Sequence, residues 1–144
     1  MLHIPALAVL LAFPALAEDL PEAPKSSAAV DPATATPEQA VRQSLILMKQ
    51  GKPDEWIKTW CTPARCETTK QKEELKQYML KQAQQSSKNC LHGDEDALEV
   101  KGVKGDPETD PKVSITLKCT HTEYPPPAVV EKVDGRWYVT SIPW

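Results

Sequence analysis

The chain has 144 residues, 17 basic and 20 acidic side chains and a net charge of −3. That near balance argues against an electrostatic surface for nucleic acid or anionic lipid. The length suits one domain with a core of its own, one that buries about two-thirds of its unfolded surface.

Residues 1 to 17 read as a cleaved export signal. An apolar run from Ile4 to Phe13 is broken by Pro14. Ala15-Leu16-Ala17 then supplies the small residues of a cleavage site ahead of Glu18-Asp19. The run is too short to span a bilayer, which takes ~20 residues, and no later segment could cross one. The segment before it has His3 but no Lys or Arg, a departure from the usual basic start. Residues 18 to 35, rich in Pro, Ala, Ser and Thr, are expected to be a disordered linker. The expected location is periplasmic or secreted, with residues 36 to 144 forming a single domain.

The first helix is expected over residues 37 to 50. Thr36 and Gln39 form a capping box, and Pro37 suits the first helical position. Val41, Leu45 and Met48 make an apolar stripe, with Ala40 and Leu47 beside it. Lys49 and Gly51 mark the end. A second, short helix is expected over 54 to 61, ended by Pro63. Trp56 and Trp60 share one of its faces and serve more simply as core anchors than as a stacking pair for a ligand. A third helix, 69 to 88, carries a thin apolar stripe of Leu75, Tyr78, Met79 and Ala83 on an otherwise solvated surface.

Beyond Cys90 the hydrophobic period changes to two, and four antiparallel strands are expected: 96–104, 112–123, 128–133 and 136–142. Leu98 and Val100 share a face in the first. Val113, Ile115, Leu117, Cys119 and His121 share one in the second. Pro125-Pro126-Pro127 can only be a connection or an edge. Asp134-Gly135 predicts a type I′ turn. That turn sets Val133 opposite Arg136, Lys132 opposite Trp137 and Val130 opposite Val139, with Trp137 facing the helices and Ile142 facing away. The fold class is therefore α+β, three helices packed on a four-stranded antiparallel sheet.

Cys61, Cys66, Cys90 and Cys119 all follow the export signal, and an even count there implies two disulfides with three possible pairings. The order of elements selects Cys61–Cys66, closing a loop at a helix end, and Cys90–Cys119, tying a helix end to the sheet. Zinc needs two close ligand pairs, which C-x4-C followed by scattered cysteines does not supply. The acidic run Asp94-Glu95-Asp96 lacks the regular spacing of a calcium loop. No metal and no cofactor is expected.

This layout resembles the nuclear-transport-factor-two-like (cystatin-like) α+β cone. Three stretches carry the resemblance: Gly51 followed by "KPDEWIKTWC", the alternating strand at 112 to 121, and the closing "VDGRWYV". The resemblance implies a sheet curled around the helices and a pocket between them. Some members of that superfamily are isomerases, dehydratases or cyclases, and many others bind ligands or partners. His121, Tyr124 and Trp144 are the residues expected at the pocket or its mouth. His121 is the best candidate for a pocket base, but no partner for it can be named. Phosphate loops, nucleophile elbows and H-E-x-x-H are absent from the sequence. The leading expectation is an exported, non-enzymatic domain that binds a partner protein or a small apolar ligand. The alternatives are an isomerase- or cyclase-like enzyme and a periplasmic immunity or inhibitor protein.

Overall fold

The computed structural model describes residues 30–143. The expected signal, most of the linker, Trp144 and the side chains of Gln82 and Ala83 lie outside the described residues. Three helices, α1 (Pro37–Lys49), α2 (Pro53–Trp60) and α3 (Thr69–Cys90), precede six strands. These are β1 (Leu91–His92), β2 (Ala97–Leu98), β3 (Val100–Lys104), β4 (Lys112–Leu117), β5 (Ala128–Val133) and β6 (Arg136–Ser141).

Local chemistry explains the helix ends. The Thr36 hydroxyl accepts from the Gln39 N–H at 3.2 Å, and the Gln39 side chain accepts from the Thr36 N–H at 2.9 Å. Thr68 and Gln71 repeat the same box at the start of α3. Gly51, at φ +68°, reverses the chain between α1 and α2, a backbone state that glycine adopts without strain. The buried stripe of α1 is Ala40, Val41, Ser44, Leu45 and Met48. Ser44 fits there because its hydroxyl donates to the Ala40 carbonyl at 2.8 Å. α3 runs two residues beyond the expected end, to Cys90.

β3-β4-β5-β6 form an open antiparallel sheet in sequence order, with α1 and α2 against β5 and β6. Val113, Ile115, Leu117, Val130 and Val139 point into the core, with Trp56, Trp60 and Leu45 opposite. The closing hairpin has the expected register, and both turn residues have positive φ, Asp134 at 50° and Gly135 at 78°. Lys132, opposite Trp137, lays its ammonium 4.9 Å from the ring centroid and donates to the Pro107 carbonyl at 3.0 Å.

Three strand expectations are corrected. The first strand is broken near Glu99. Its start pairs back on β1 through a turn that contains Gly93 and Asp96, both at positive φ. Its remainder, β3, carries a bulge between Val100 and Gly102 and is exposed throughout, so Val100 does not face the core. The second strand ends at Leu117, not at residue 123. The prolines at 125–127 have no N–H to extend β5 alongside it, and its continuation bonds to α3 instead: Thr120 N–H donates to the Asn89 carbonyl at 2.8 Å. The last strand ends at Ser141, so alternation stops before Ile142, which packs on the core instead of facing away.

Both disulfides are present as expected, Cys61–Cys66 and Cys90–Cys119. Two intramolecular bridges fit an oxidising compartment. Among the described residues no helix is long and apolar enough to cross a membrane.

Candidate functional site

A cavity of about 200 Å³ lies between α2, α3 and the end of β6. α2 places Trp56 on its wall. The loop closed by Cys61–Cys66 places Arg65, held by a turn in which the Arg65 N–H donates to the Thr62 carbonyl at 3.1 Å. α3 contributes Leu75, Tyr78 and Met79 along one face and Ser86 two turns further on. The fourth wall is the end of β6 and the residues after it, where Ile142 and Pro143 turn toward α3 and the Ser86 hydroxyl donates to the Pro143 carbonyl. Ser86 and Ser141 are the smallest side chains on this wall, beside the larger Trp56, Leu75 and Met79.

Trp56 is 2% exposed, and its Nε1–H has no hydrogen-bond partner. An indole nitrogen can only donate, and leaving a buried donor unmet costs about 1–3 kcal/mol. The ionisable groups on the lining are Arg65, which is exposed, and Tyr78, 52% exposed, both at the rim. Arg65 Nη1 donates to the Thr140 carbonyl, fixing the guanidinium beside the end of β6. No carboxylate or imidazole lines the cavity among the described residues.

A wider, shallower depression lies on the other side of α2, lined by both signs of charge, Asp54, Lys58, Lys72, Glu73 and Arg136. Its arginine has a structural task. Arg136 stacks 4.8 Å from the Tyr138 ring and donates from Nη2 to the Thr59 carbonyl, meeting an acceptor left open at the end of α2. Asp54 and Lys76 clip α2 to α3 at 3.1 Å. The Lys76 ammonium donates to the Asp54 carboxylate at 3.2 Å, which raises the Lys76 pKa, and the exposure of Asp54 leaves that pair little weight in stability.

The residues expected at the pocket are not brought together. His121 is exposed in the connection after β4. Tyr124, 83% exposed, lies in the same connection. Neither lines the cavity. Trp144 falls outside the described residues, though its neighbour Pro143 lines the wall. A ring nitrogen of His121 lies within 4.8 Å of the sulfurs of Cys90 and Cys119. Those sulfurs are bonded to each other, and a disulfide offers a cation no thiolate. His92 Nε2 lies 2.8 Å from the Lys118 carbonyl, which ties β1 to the end of the sheet. The acidic turn is held by α1: Arg42 donates to the carbonyls of Glu95 and Asp96, and Lys49 pairs with the Asp96 carboxylate.

Sequence reasoning missed Arg65, Ser86 and Ser141 as wall residues and took Trp56 only as an anchor. The available signal was local. Ser86-Ser87 interrupts the buried face of α3, and Arg65 is the one cation inside the Cys61–Cys66 loop. Comparison of the chain with protein-family models, with curated proteins and with solved structures gives no match.

Proposed function

We propose that this is an exported, disulfide-stapled domain that binds a small, largely apolar ligand in the cavity between α2, α3 and the end of β6. The observation that carries the proposal is the cavity of about 200 Å³ itself, bounded by Trp56, Leu75, Met79 and Ile142. A dry cavity of about 150 Å³ is enough to bind benzene, so one ring with a small substituent matches the volume found here. Helices laid on one face of an open sheet, with space at one end, support the resemblance to the nuclear-transport-factor-two-like layout. Among the described residues the lining has no carboxylate or imidazole, which supports binding over proton transfer, a step that needs a group with a pKa near neutrality. The paired cysteines and the signal-like start support a periplasmic or secreted location.

The test uses two one-ring probes, benzyl alcohol and benzoate, with the indole N–H resonance of Trp56 as readout, assigned through Trp56→Phe. At least one probe should move that resonance saturably at millimolar concentration. Ser141→Val, which narrows the cavity from the β6 side, should weaken the binding at least fivefold. If neither probe moves the Trp56 signal, the binding proposal fails.

A further inference from the structure

Cys90 and Cys119 lie away from the cavity, and the early end of β4 gives them a third neighbour. In the connection after Leu117, a ring nitrogen of His121 comes within 4.8 Å of both sulfurs. While the sulfurs are bonded to each other, the group holds no cation. Its chemistry depends on where the sulfurs stand once the bridge opens, and both are flanked by hydrogen bonds that do not involve it. On one side, the Thr120 N–H donates to the Asn89 carbonyl at 2.8 Å. On the other, His92 Nε2 lies 2.8 Å from the Lys118 carbonyl, and the Lys118 N–H donates to the Glu99 carbonyl at 2.9 Å. Two segments clamped before and after the cysteines keep the thiols facing each other after reduction. A tetrahedral zinc ion, with Zn–S ~2.3 Å, sets its two sulfurs about 3.8 Å apart, a modest opening of the pair. The imidazole then has to close by about 1 Å, and it stands on an exposed segment outside the sheet. Cys90 is also the last residue of α3, where the negative end of the helix dipole favours a cation. The same field opposes a free thiolate, which disfavours a thiol-exchange centre built on a low-pKa cysteine.

We propose that Cys90, Cys119 and His121 are a redox-gated zinc site, closed as the disulfide and opened by reduction. A dithiol reductant gives two electrons to the bridge, leaves as its own disulfide and yields the two thiols. These release two protons to solvent as they bind the metal as thiolates, and the neutral imidazole contributes a nitrogen lone pair. The product is an uncharged centre of three protein ligands, with a fourth position for water. Cys90 is fully buried and Cys119 nearly so, and exposed His121 marks the side of entry. Ligand spacing along the chain could not reveal this set, because Cys90 and Cys119 are 29 residues apart. The end of α3 and the segment after β4 bring them together. The site is separate from the cavity, and neither proposal depends on the other.

The experiment titrates the chain with Co²⁺, whose sulfur-to-metal absorption reports thiolate ligands, and then displaces it with Zn²⁺. Reduction uses a phosphine, which brings no thiol of its own. The oxidised chain should bind neither ion at the site. The reduced chain should bind one equivalent of Co²⁺ with a thiolate band, and Zn²⁺ should replace it. Cys61→Ala/Cys66→Ala should keep that behaviour, and Cys90→Ala/Cys119→Ala should abolish it. His121→Ala should weaken zinc at least tenfold. Because His121 is exposed, that variant should fold with its disulfides formed, as a thermal melt will verify. Far-UV circular dichroism of the reduced chain, before and after zinc, follows the fold. A reduced chain that stays folded, or that zinc refolds, is the expected result, and one that zinc leaves unfolded overturns the inference. It is also overturned by absence of a thiolate band, by its loss in Cys61→Ala/Cys66→Ala, or by an unchanged zinc affinity in His121→Ala.

Discussion

The β5–β6 hairpin has two ends, and they treat tryptophan in opposite ways. At the turn end, Trp137 is 6% exposed and capped by Lys132, which stands directly opposite in register and also bonds to the Pro107 carbonyl. At the open end, beyond Ser141, the wall is assembled from β6, α2, α3 and a disulfide loop, and Trp56 is left with an unmet donor. The difference is one of how many elements must agree. A hairpin places two residues across from each other by register alone. Where four separate segments meet, small side chains, an unmet donor and unfilled space survive.

The contrast can be attacked first where the packing is tightest. Trp137→Ala should cost about 3–5 kcal/mol through the core cavity it leaves, measured by urea denaturation. Probe binding at the far end of the hairpin should persist wherever the variant is still folded. An unchanged melting temperature would show that the turn end is not the packed end. The two disulfides come next. Cys90–Cys119 spans 29 residues and Cys61–Cys66 only 5. Loop-closure entropy then gives about 3–4 and about 2 kcal/mol respectively. The Cys90→Ala/Cys119→Ala pair should therefore lose more stability than Cys61→Ala/Cys66→Ala. The order should reverse for probe binding, because the short loop carries Arg65, a residue of the cavity wall. Gly135→Ala tests the turn itself. A Cβ there meets no atom within 4 Å, so the cost should be that of a left-handed backbone alone, about 1–2 kcal/mol by the same denaturation measurement.

Legibility in the sequence followed the same division. The capping box at Thr36, the stripe on α1, the turn at Asp134-Gly135 and the register of Lys132 against Trp137 are each encoded within a few residues, and the structure has all of them. Cys90–Cys119 was readable from the order of helix and strand, although Cys119 lies two residues beyond the end of β4. The strand expected to carry His121 stopped early for a reason outside its own pattern. Its neighbour β5 begins only after three prolines, and the end of α3 captures Thr120 first. Periodicity cannot register a competitor for a backbone hydrogen bond that lies 31 residues away. The cavity was illegible for a related reason: its walls are residues of unremarkable local role, and what distinguishes them is the space they fail to fill together.

The smallest effect separates the two tryptophans most sharply. Trp56 is the more deeply buried, at 2% against 6% for Trp137, so burial alone ranks its truncation as the costlier. The unmet donor reverses that ranking. Trp56→Phe loses part of an indole's packing but also removes a buried N–H that costs about 1–3 kcal/mol to leave unsatisfied. The two contributions oppose each other, and the net change should lie within about 1 kcal/mol of zero. Trp137→Phe has no such relief, since its nitrogen is not among the buried atoms without a partner, and it also weakens the contact with Lys132. Its cost should be the greater of the two when both are measured by denaturation in the absence of ligand. Adding benzoate should then widen the gap between wild type and Trp56→Phe, because a ligand stabilises the folded state only as far as it binds and Trp56 forms part of the cavity wall. If Trp56→Phe proves as costly as Trp137→Phe, the indole N–H is already satisfied in solution, and the open end of the hairpin is packed for stability just as the turn end is.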